Sequence, residues 1–154
     1  MEWTALVATV VGAVIGVGST LAADRMRWRR DTGERDRETM RTVSAQFLEA
    51  LTEARDAISD ASRSAHLSPD ERAGLARAGT LDHGVHAKQY QLELLATPEV
   101  AQSARDAAYQ LLLYRDTVIA GHLRDDPECA EMRRDFREAR QKLMAAMRAS
   151  LSRP

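Results

Sequence analysis

Cysteine, aromatic residues and lysine are scarce in this chain of 154 residues. Cysteine occurs once, at Cys129, which excludes an intramolecular disulfide framework and agrees with a reducing compartment. Aromatic residues make up 5% of the chain, and lysine occurs only at Lys88 and Lys142. Arginine therefore carries nearly all of the positive charge.

Motifs that support catalysis are missing from the sequence as well. It contains no Gly-x-Ser-x-Gly nucleophile elbow, no His-Glu-x-x-His zinc motif and neither of the glycine-rich loops that bind phosphate groups. Cys129 follows an acidic turn, a setting that disfavours the reactive thiolate. We therefore predict that the protein is not an enzyme and holds no cofactor.

An excess of positive charge is absent too. The 22 Lys and Arg residues face 23 Asp and Glu residues, for a formal net charge of -1. Nucleic-acid-binding domains usually carry a basic excess on one face. The composition therefore predicts no nucleic-acid partner.

Strand-forming patterns have little support after Ala23. Val and Ile are sparse there, and no run of residues alternates between apolar and polar with a period of two. Ala, Arg, Glu, Leu, Gln and Met dominate instead, and these residues favour helices. The sequence predicts an all-α protein.

The first 23 residues form the one long apolar run. No charge lies between Trp3 and Ala23, and this length suffices for the roughly 20 helical residues that cross a bilayer. Glu2 precedes the run and arginines follow it, which is the reverse of a cleavable signal peptide. We predict a transmembrane anchor at 1–23, a charged juxtamembrane helix or joint at 24–39, and a helical bundle at 40–154.

The residues that flank the anchor predict its orientation and its boundaries. Lys and Arg beside a span are retained in the cytoplasm, which places the N-terminus outside and the bundle in the cytoplasm. Trp3 and Trp28 lie about 37 Å apart along a helix, a distance that matches a span with its interfacial zones. The predicted membrane-interface residues, which would contact lipid, are Trp3, Arg25, Arg27, Trp28, Arg29 and Arg30.

Small residues recur at every fourth position of the anchor, at Ala8, Gly12, Gly16 and Thr20. Such a stripe lets a second helix approach closely, which predicts self-association in the membrane. The alternative is that small residues are simply common in membrane helices. The sequence leaves both interpretations open.

After the anchor, apolar residues recur at helical spacing, three or four positions apart, in three long segments. The predicted buried stripes are Met40, Phe47, Leu51, Ala54, Ile58 and Ala61 in the first, Val100, Ala104, Ala107, Leu111, Tyr114 and Val118 in the second, and Met132, Phe136, Ala139, Leu143, Met147 and Leu151 in the third. A fourth, weaker segment lies between the first two. Because each stripe must be buried against another, we predict a three- to four-helix antiparallel bundle.

Capping residues predict where these helices begin and end. Ser68-Pro69-Asp70-Glu71 is typical of a helix start, with Ser68 as N-cap and Glu71 completing a capping box. Thr97-Pro98-Glu99 and Asp125-Asp126-Pro127-Glu128 predict two further starts. Gly74, Gly79 and Gly84 weaken the intervening segment, and we expect a break near Gly79 or Gly84.

Two groups of side chains are candidates for binding. His83 and His86 stand three positions apart, with Glu93 two turns further on. In the alternative hypothesis of a metal-binding or enzymatic bundle, these three side chains would hold a metal ion or form the active site.

The last helix is basic, with seven basic and two acidic residues from Arg133 to Arg153. Its arginines would either contact anionic lipid or an acidic partner, or form a solvated face, and we favour the solvated face because the apolar stripe is needed for the core. The basic residues beside that stripe are Arg133, Arg134, Arg137, Arg140 and Arg148.

Two segments carry a resemblance, GVGSTLAADR at 16–25 and LELLATPEV at 92–100. With these, the chain resembles the small single-pass membrane proteins of high-GC actinobacteria. The resemblance implies an anchored cytoplasmic helical domain, and it implies no activity and no catalytic residue. A fainter similarity is to spanin-like phage lysis proteins, but the arginine placement opposes it.

Together these observations predict a membrane-anchored cytoplasmic helical scaffold that binds an unidentified protein partner, with self-association through its anchor left open. The alternatives from other classes are a metal-binding or enzymatic bundle at the membrane, and a membrane-remodelling or lysis protein.

Overall fold

The computed structural model describes residues 34–152. The chain divides into two compact units, Met1–Thr39 and Met40–Pro154, and the second contains the helical bundle. The predicted anchor at 1–23 lies outside the described residues, as does most of the charged segment that follows it. The same holds for the packing and interface residues predicted there, which are Ala8, Gly12, Gly16, Thr20, Trp3, Arg25, Arg27, Trp28, Arg29 and Arg30.

Residues 34–152 form five helices and no strand, which confirms the all-α prediction for this part of the chain. Helix α1 covers residues 34–63. The others are α2 (Pro69–Asp82), α3 (Val85–Leu95), α4 (Pro98–Ile119) and α5 (Pro127–Ser152). Within this region no helix is both long enough and apolar enough to cross a bilayer.

The weak segment between α1 and α4 is broken into two helices, α2 and α3, as the glycines predicted. The break falls at Gly84, whose φ of 61° lies in the left-handed region that glycine adopts without steric strain. Gly79 does not break α2, which continues to Asp82. Gly84 was thus one of the two expected positions, and Gly79 has a packing role instead.

The predicted start of α2 is confirmed in detail. The Ser68 hydroxyl accepts a hydrogen bond from the Glu71 amide, and the Glu71 carboxylate accepts one from the Ser68 amide at 2.8 Å. The Ser68 hydroxyl also donates to the Glu71 carboxylate at 2.8 Å, and this hydrogen bond, together with the one from the Ser68 amide, lowers the pKa of Glu71. Thr97 occupies the N-cap position of α4, although its side chain makes no capping hydrogen bond there.

The predicted apolar stripes form the core. All six stripe residues of α1 and all six of α4 are buried, and on α5 Phe136, Ala139, Leu143 and Met147 are buried while Met132 and Leu151 pack partly exposed against them. Leu92 and Val85 of α3 complete the cluster. Burial of one fully enclosed large apolar side chain contributes about 1.5–3 kcal/mol, so these stripes account for most of the driving force for folding.

Contacts between distant residues establish the helix directions. Thr52 of α1 lies beside Arg140 of α5, while Ser59, two turns further along α1, lies beside Arg124 just before α5. Helices α1 and α5 are therefore antiparallel. Near the C-terminal ends of α1 and α4, the hydroxyls of Ser62 and Tyr114 lie 3.4 Å apart, so those two helices run in the same direction.

We expect Gly79→Ala to destabilise the bundle. A Cβ at Gly79 would lie 2.6 Å from the Cβ of Ala57 in α1, closer than two carbon atoms approach. Overpacking of this kind costs about 1–3 kcal/mol, and over most of this range the cost outweighs the roughly 1 kcal/mol that Ala gains over Gly in a helix. Urea denaturation of the full chain followed by circular dichroism measures the change.

Gly74→Ala is the matched control in the same helix. A Cβ there has nothing within 4 Å, so only helix propensity changes and stability should rise by about 0.5–1 kcal/mol. An equal gain in both variants would contradict close packing of α2 on α1.

Candidate functional site

The antiparallel pairing of α1 and α5 creates a cavity of about 330 Å³ on the surface of the bundle. Its described lining consists of five arginines, one serine and one phenylalanine, which are Arg55, Arg124, Arg133, Arg137, Arg140, Ser59 and Phe136. We refer to it as the arginine cavity.

Helical spacing explains why these side chains converge. Arg133, Phe136, Arg137 and Arg140 occupy positions i, i+3, i+4 and i+7 of α5, which share one face of a helix. Arg55 and Ser59 stand four apart on α1, and the turn before α5 supplies Arg124. Phe136 is 5% exposed and gives the cavity an apolar wall.

Hydrogen bonds hold two of the arginines against α1. The Nη1 atom of Arg124 donates to the Ser59 hydroxyl at 2.7 Å, and the backbone amide of Arg124 donates to the carbonyl of Ser62 at 3.0 Å. The Nη2 atom of Arg140 donates to the Thr52 hydroxyl at 3.4 Å. Both tethers end on neutral hydroxyl groups, so the positive charges remain uncompensated.

Carboxylates are absent from the lining contributed by residues 34–152. Arg55 pairs with its neighbour Asp56 at 3.1 Å. Of the acidic residues that flank the cavity arginines on α5, Glu131 and Asp135 pair with Arg134, and Glu138 pairs with Lys142. Within the described residues, Arg133 and Arg137 make neither a hydrogen bond nor an ion pair.

Two buried hydrogen-bond donors add to the excess of positive charge in the cavity lining. The Nε atoms of Arg133 and Arg140 are buried and have no hydrogen-bond acceptor among the described residues. A buried donor without a partner costs about 1–3 kcal/mol, more when the group is charged. Like charges gathered in one cavity add repulsion. An anion in the cavity would relieve both costs.

The candidate histidine group, His83, His86 and Glu93, is not assembled as a metal site. The Nδ1 atom of His83 lies 3.0 Å from the Glu53 carboxylate, and the Glu93 carboxylate accepts hydrogen bonds from Gln89 and Arg105, each at 2.8 Å. His86 is exposed. Over residues 34–152, no three His, Cys, Asp or Glu side chains are grouped so that they could hold a metal ion.

Cys129 is enclosed in the core beneath the turn that precedes α5. Its side chain is fully buried, and its Sγ atom lies 3.7 Å from the carbonyl of His122. Burial, with a smaller contribution from Asp126, raises the pKa of the Cys129 thiol. The group therefore lacks the thiolate character that nucleophilic or redox chemistry requires.

We expect Cys129 to react with a thiol reagent such as dithionitrobenzoate at least about a hundredfold more slowly than glutathione does, because reaction requires opening of the core. In concentrated urea the two rates should converge. Because the chain has only one cysteine, the signal has one source. Rapid labelling of the native chain would contradict the burial of this side chain.

The basic face predicted for the last helix divides into two groups. Arg133, Arg137 and Arg140 line the cavity, where Arg137 is exposed and the other two are partly buried. Arg134 pairs with Glu131, and Arg148 is exposed; neither lines the cavity. Arg55 and Arg124 were not predicted from the sequence as site residues. They join the site through the packing of α1 on α5, and the only local signal was the i, i+4 pairing of Arg55 with Ser59.

Comparisons with protein families, curated proteins and solved structures found no match for this chain. The geometry of the arginine cavity is therefore the main guide to function.

Proposed function

We propose that this protein is a membrane-anchored helical interaction module that receives an anionic group of its partner in the arginine cavity. The observation that carries the proposal is a cavity lined by five arginines and by no carboxylate of the described residues. Guanidinium groups match carboxylate, sulfate and phosphate oxygens in pairs of hydrogen bonds, and they are the side chains most often used for this purpose.

Binding rather than catalysis is proposed because of the chemistry of the lining. Arginine keeps its proton in proteins, so it can hold an anion but cannot serve as a general acid or base near neutral pH. The remaining lining residues are Phe136, which is apolar, and Ser59, whose hydroxyl is engaged by Arg124. These side chains suit retention of a charged group without turnover.

The anchor belongs to the same proposal. The apolar residues 1–23 hold the chain in the cell membrane, with its N-terminus outside and its bundle in the cytoplasm on account of the arginines at 25–30. The small residues Ala8, Gly12, Gly16 and Thr20 allow a second copy to pack against the anchor. An anchored bundle of this kind gathers its partner at the inner leaflet.

We expect Arg137→Gln to leave the stability of the bundle unchanged or to raise it, by up to about 1 kcal/mol at low salt. The substitution removes one of several like charges and breaks no hydrogen bond or ion pair of the described residues. Side chains kept for binding often lower stability, whereas structural ones raise it. Urea denaturation of the full chain in dodecyl maltoside micelles measures the difference.

Arg134→Gln is the control on the same helix. Arg134 is exposed and contacts Glu131 and Asp135, so its loss should change stability by no more than about 0.5 kcal/mol. A loss above about 1 kcal/mol for Arg137→Gln would assign Arg137 a structural role.

A panel of small aryl anions tests the proposed function itself. Benzoate, benzenesulfonate and phenyl phosphate are each added to the full chain in dodecyl maltoside at equal ionic strength, with chloride as reference. An anion that binds the folded chain raises its stability in proportion to the logarithm of ligand concentration over Kd. At least one anion should stabilise the wild type and an Arg134→Gln/Arg148→Gln control, and should not stabilise Arg133→Gln/Arg137→Gln. If no anion distinguishes these chains, the proposed function is wrong.

A further inference from the structure

The arginine cavity combines several guanidinium groups with one apolar wall, and this combination limits which classes of anion fit. A carboxylate offers two oxygens and one negative charge, which satisfies a single guanidinium fork. The terminal phosphate of a monoester offers three strongly accepting oxygens and a charge of about -1.5 to -2 at neutral pH. Several forks can therefore share one phosphate.

The positions of the arginines favour such sharing. Arg133, Arg137 and Arg140 approach from α5, Arg55 approaches from α1, and Arg124 approaches from the turn before α5. Of these, Arg133 and Arg137 have no other partner among the described residues. Three separate elements thus direct positive charge towards one small volume.

The remaining wall is suited to the organic part of a ligand. Phe136 lines the same cavity, and a volume of about 330 Å³ lies at the lower end of the range that small-molecule sites occupy. The cavity therefore has room for a phosphate and a few attached atoms, with an aromatic ring against which those atoms can pack.

We propose that the arginine cavity binds the terminal phosphate of a phosphomonoester, either a soluble one or the headgroup of a phosphomonoester lipid. This inference rests on the proposed function, which requires only that some anionic group enters the cavity. It assigns Arg133 and Arg137 as the main phosphate ligands, Arg55, Arg124 and Arg140 as supporting charges, and Phe136 as the apolar contact.

The test ranks the aryl anions by their Kd for the full chain in dodecyl maltoside, a detergent without phosphate. Phenyl phosphate should bind at least about tenfold more tightly than benzoate or benzenesulfonate, since each additional charge-assisted fork contributes roughly a factor of ten. Arg133→Gln and Arg137→Gln should each raise the Kd for phenyl phosphate at least about tenfold, and Arg134→Gln should leave this Kd unchanged.

The pH dependence gives a second readout. The second ionisation of a phosphomonoester falls near about pH 6, and arginines do not titrate there, so affinity should rise several-fold between pH 5 and pH 7. The ionisable neighbours of Arg124 in the same turn are His122, Asp125 and Asp126, and His122 lies 3.7 and 3.6 Å from the carboxylates of Asp126 and Glu128. Benzenesulfonate keeps its charge over this pH range, so any pH dependence of its binding measures the contribution of the protein's own groups.

Two further arms identify the source of the phosphate. Micelles doped with phosphatidic acid compete with phenyl phosphate if the lipid headgroup enters the cavity, whereas phosphatidylserine, a diester, does not. If phosphatidic acid competes with phenyl phosphate, the ligand is a lipid. If phenyl phosphate binds tightly and phosphatidic acid does not compete with it, the ligand is a soluble phosphomonoester.

Several results would overturn this inference. Equal binding of benzoate and phenyl phosphate would remove the phosphate assignment while the proposed function stands. If phenyl phosphate still binds to the Arg133→Gln/Arg137→Gln variant, its binding site lies elsewhere on the chain. Failure of every anion would remove both the inference and the proposed function.

Discussion

Deletion of residues 1–23 is expected to move the chain from the membrane fraction to the soluble fraction of the cell. This is the largest effect we predict, because the run from Trp3 to Ala23 contains no charge and the remainder is highly charged. Leu, Ile and Val each favour insertion by about 0.3–0.6 kcal/mol at the centre of a span. Fractionation of cells that express either chain, followed by immunoblotting, gives the result.

Point substitutions provide a version of this experiment that keeps the chain length. Val10→Arg with Val14→Arg should oppose insertion by about 5–7 kcal/mol, whereas Val10→Leu with Val14→Leu should leave the chain in the membrane. The anchor would be disproved by a full chain found in the soluble fraction, or by a deleted chain that still sediments with membranes when it also carries Arg133→Gln and Arg137→Gln.

The anchor also carries the expectation of self-association. Gly12→Ile and Gly16→Ile should keep the chain in the membrane but reduce its self-association in detergent, because the larger side chains hold a neighbouring helix away. Unchanged self-association would mean that the small residues do not form a packing face.

The orientation of the anchor is tested by a reporter that is active only in the cytoplasm and is fused to Pro154.

Phe47→Ala is expected to lower the free energy of unfolding of the bundle by about 3–5 kcal/mol. The Phe47 side chain is fully buried in the shared core, and removal of a buried aromatic ring loses its transfer free energy and leaves a cavity. A loss of this size is a large part of the roughly 5–15 kcal/mol that typical domains possess. Urea denaturation of the full chain, monitored by circular dichroism and by Cys129 labelling, measures this change in the free energy of unfolding.

Gln46→Ala is the matched control for this prediction. Gln46 precedes Phe47 on α1 and is exposed, so its truncation should change stability by less than about 0.5 kcal/mol. A loss below about 1 kcal/mol for Phe47→Ala would mean that α1 does not share the core of α4 and α5.

Local and periodic features of the bundle were predictable from the sequence. The Ser68 capping box could be identified from four consecutive residues, and the stripes of α1 and α4 could be identified from their spacing, since the same side chains must face the core wherever the helices pack. The role of Gly79 was not predictable, because it depends on the approach of Ala57 from another helix.

The arginine cavity lay beyond sequence reasoning for a similar reason. Arg124 meets Ser59 across 65 positions of the chain and Arg140 meets Thr52 across 88, and no periodicity within one helix encodes either contact. The basic face of α5 was predictable from the sequence, and its arginines were predicted to form a solvated surface. That interpretation fits the exposed Arg134, Arg137 and Arg148, whereas Arg133 and Arg140 are partly buried in the lining of the cavity.

The Nε–H signals of the arginine guanidinium groups in NMR spectra provide the most direct test of anion binding at this site. We predict that titration of the full chain in dodecyl maltoside with phenyl phosphate shifts the signals of Arg133 and Arg140 along one saturable curve, while those of the exposed Arg77 and Arg134 stay in place. Unmoved signals at Arg133 and Arg140, or equal shifts at all four residues, would contradict a phosphate site in the arginine cavity.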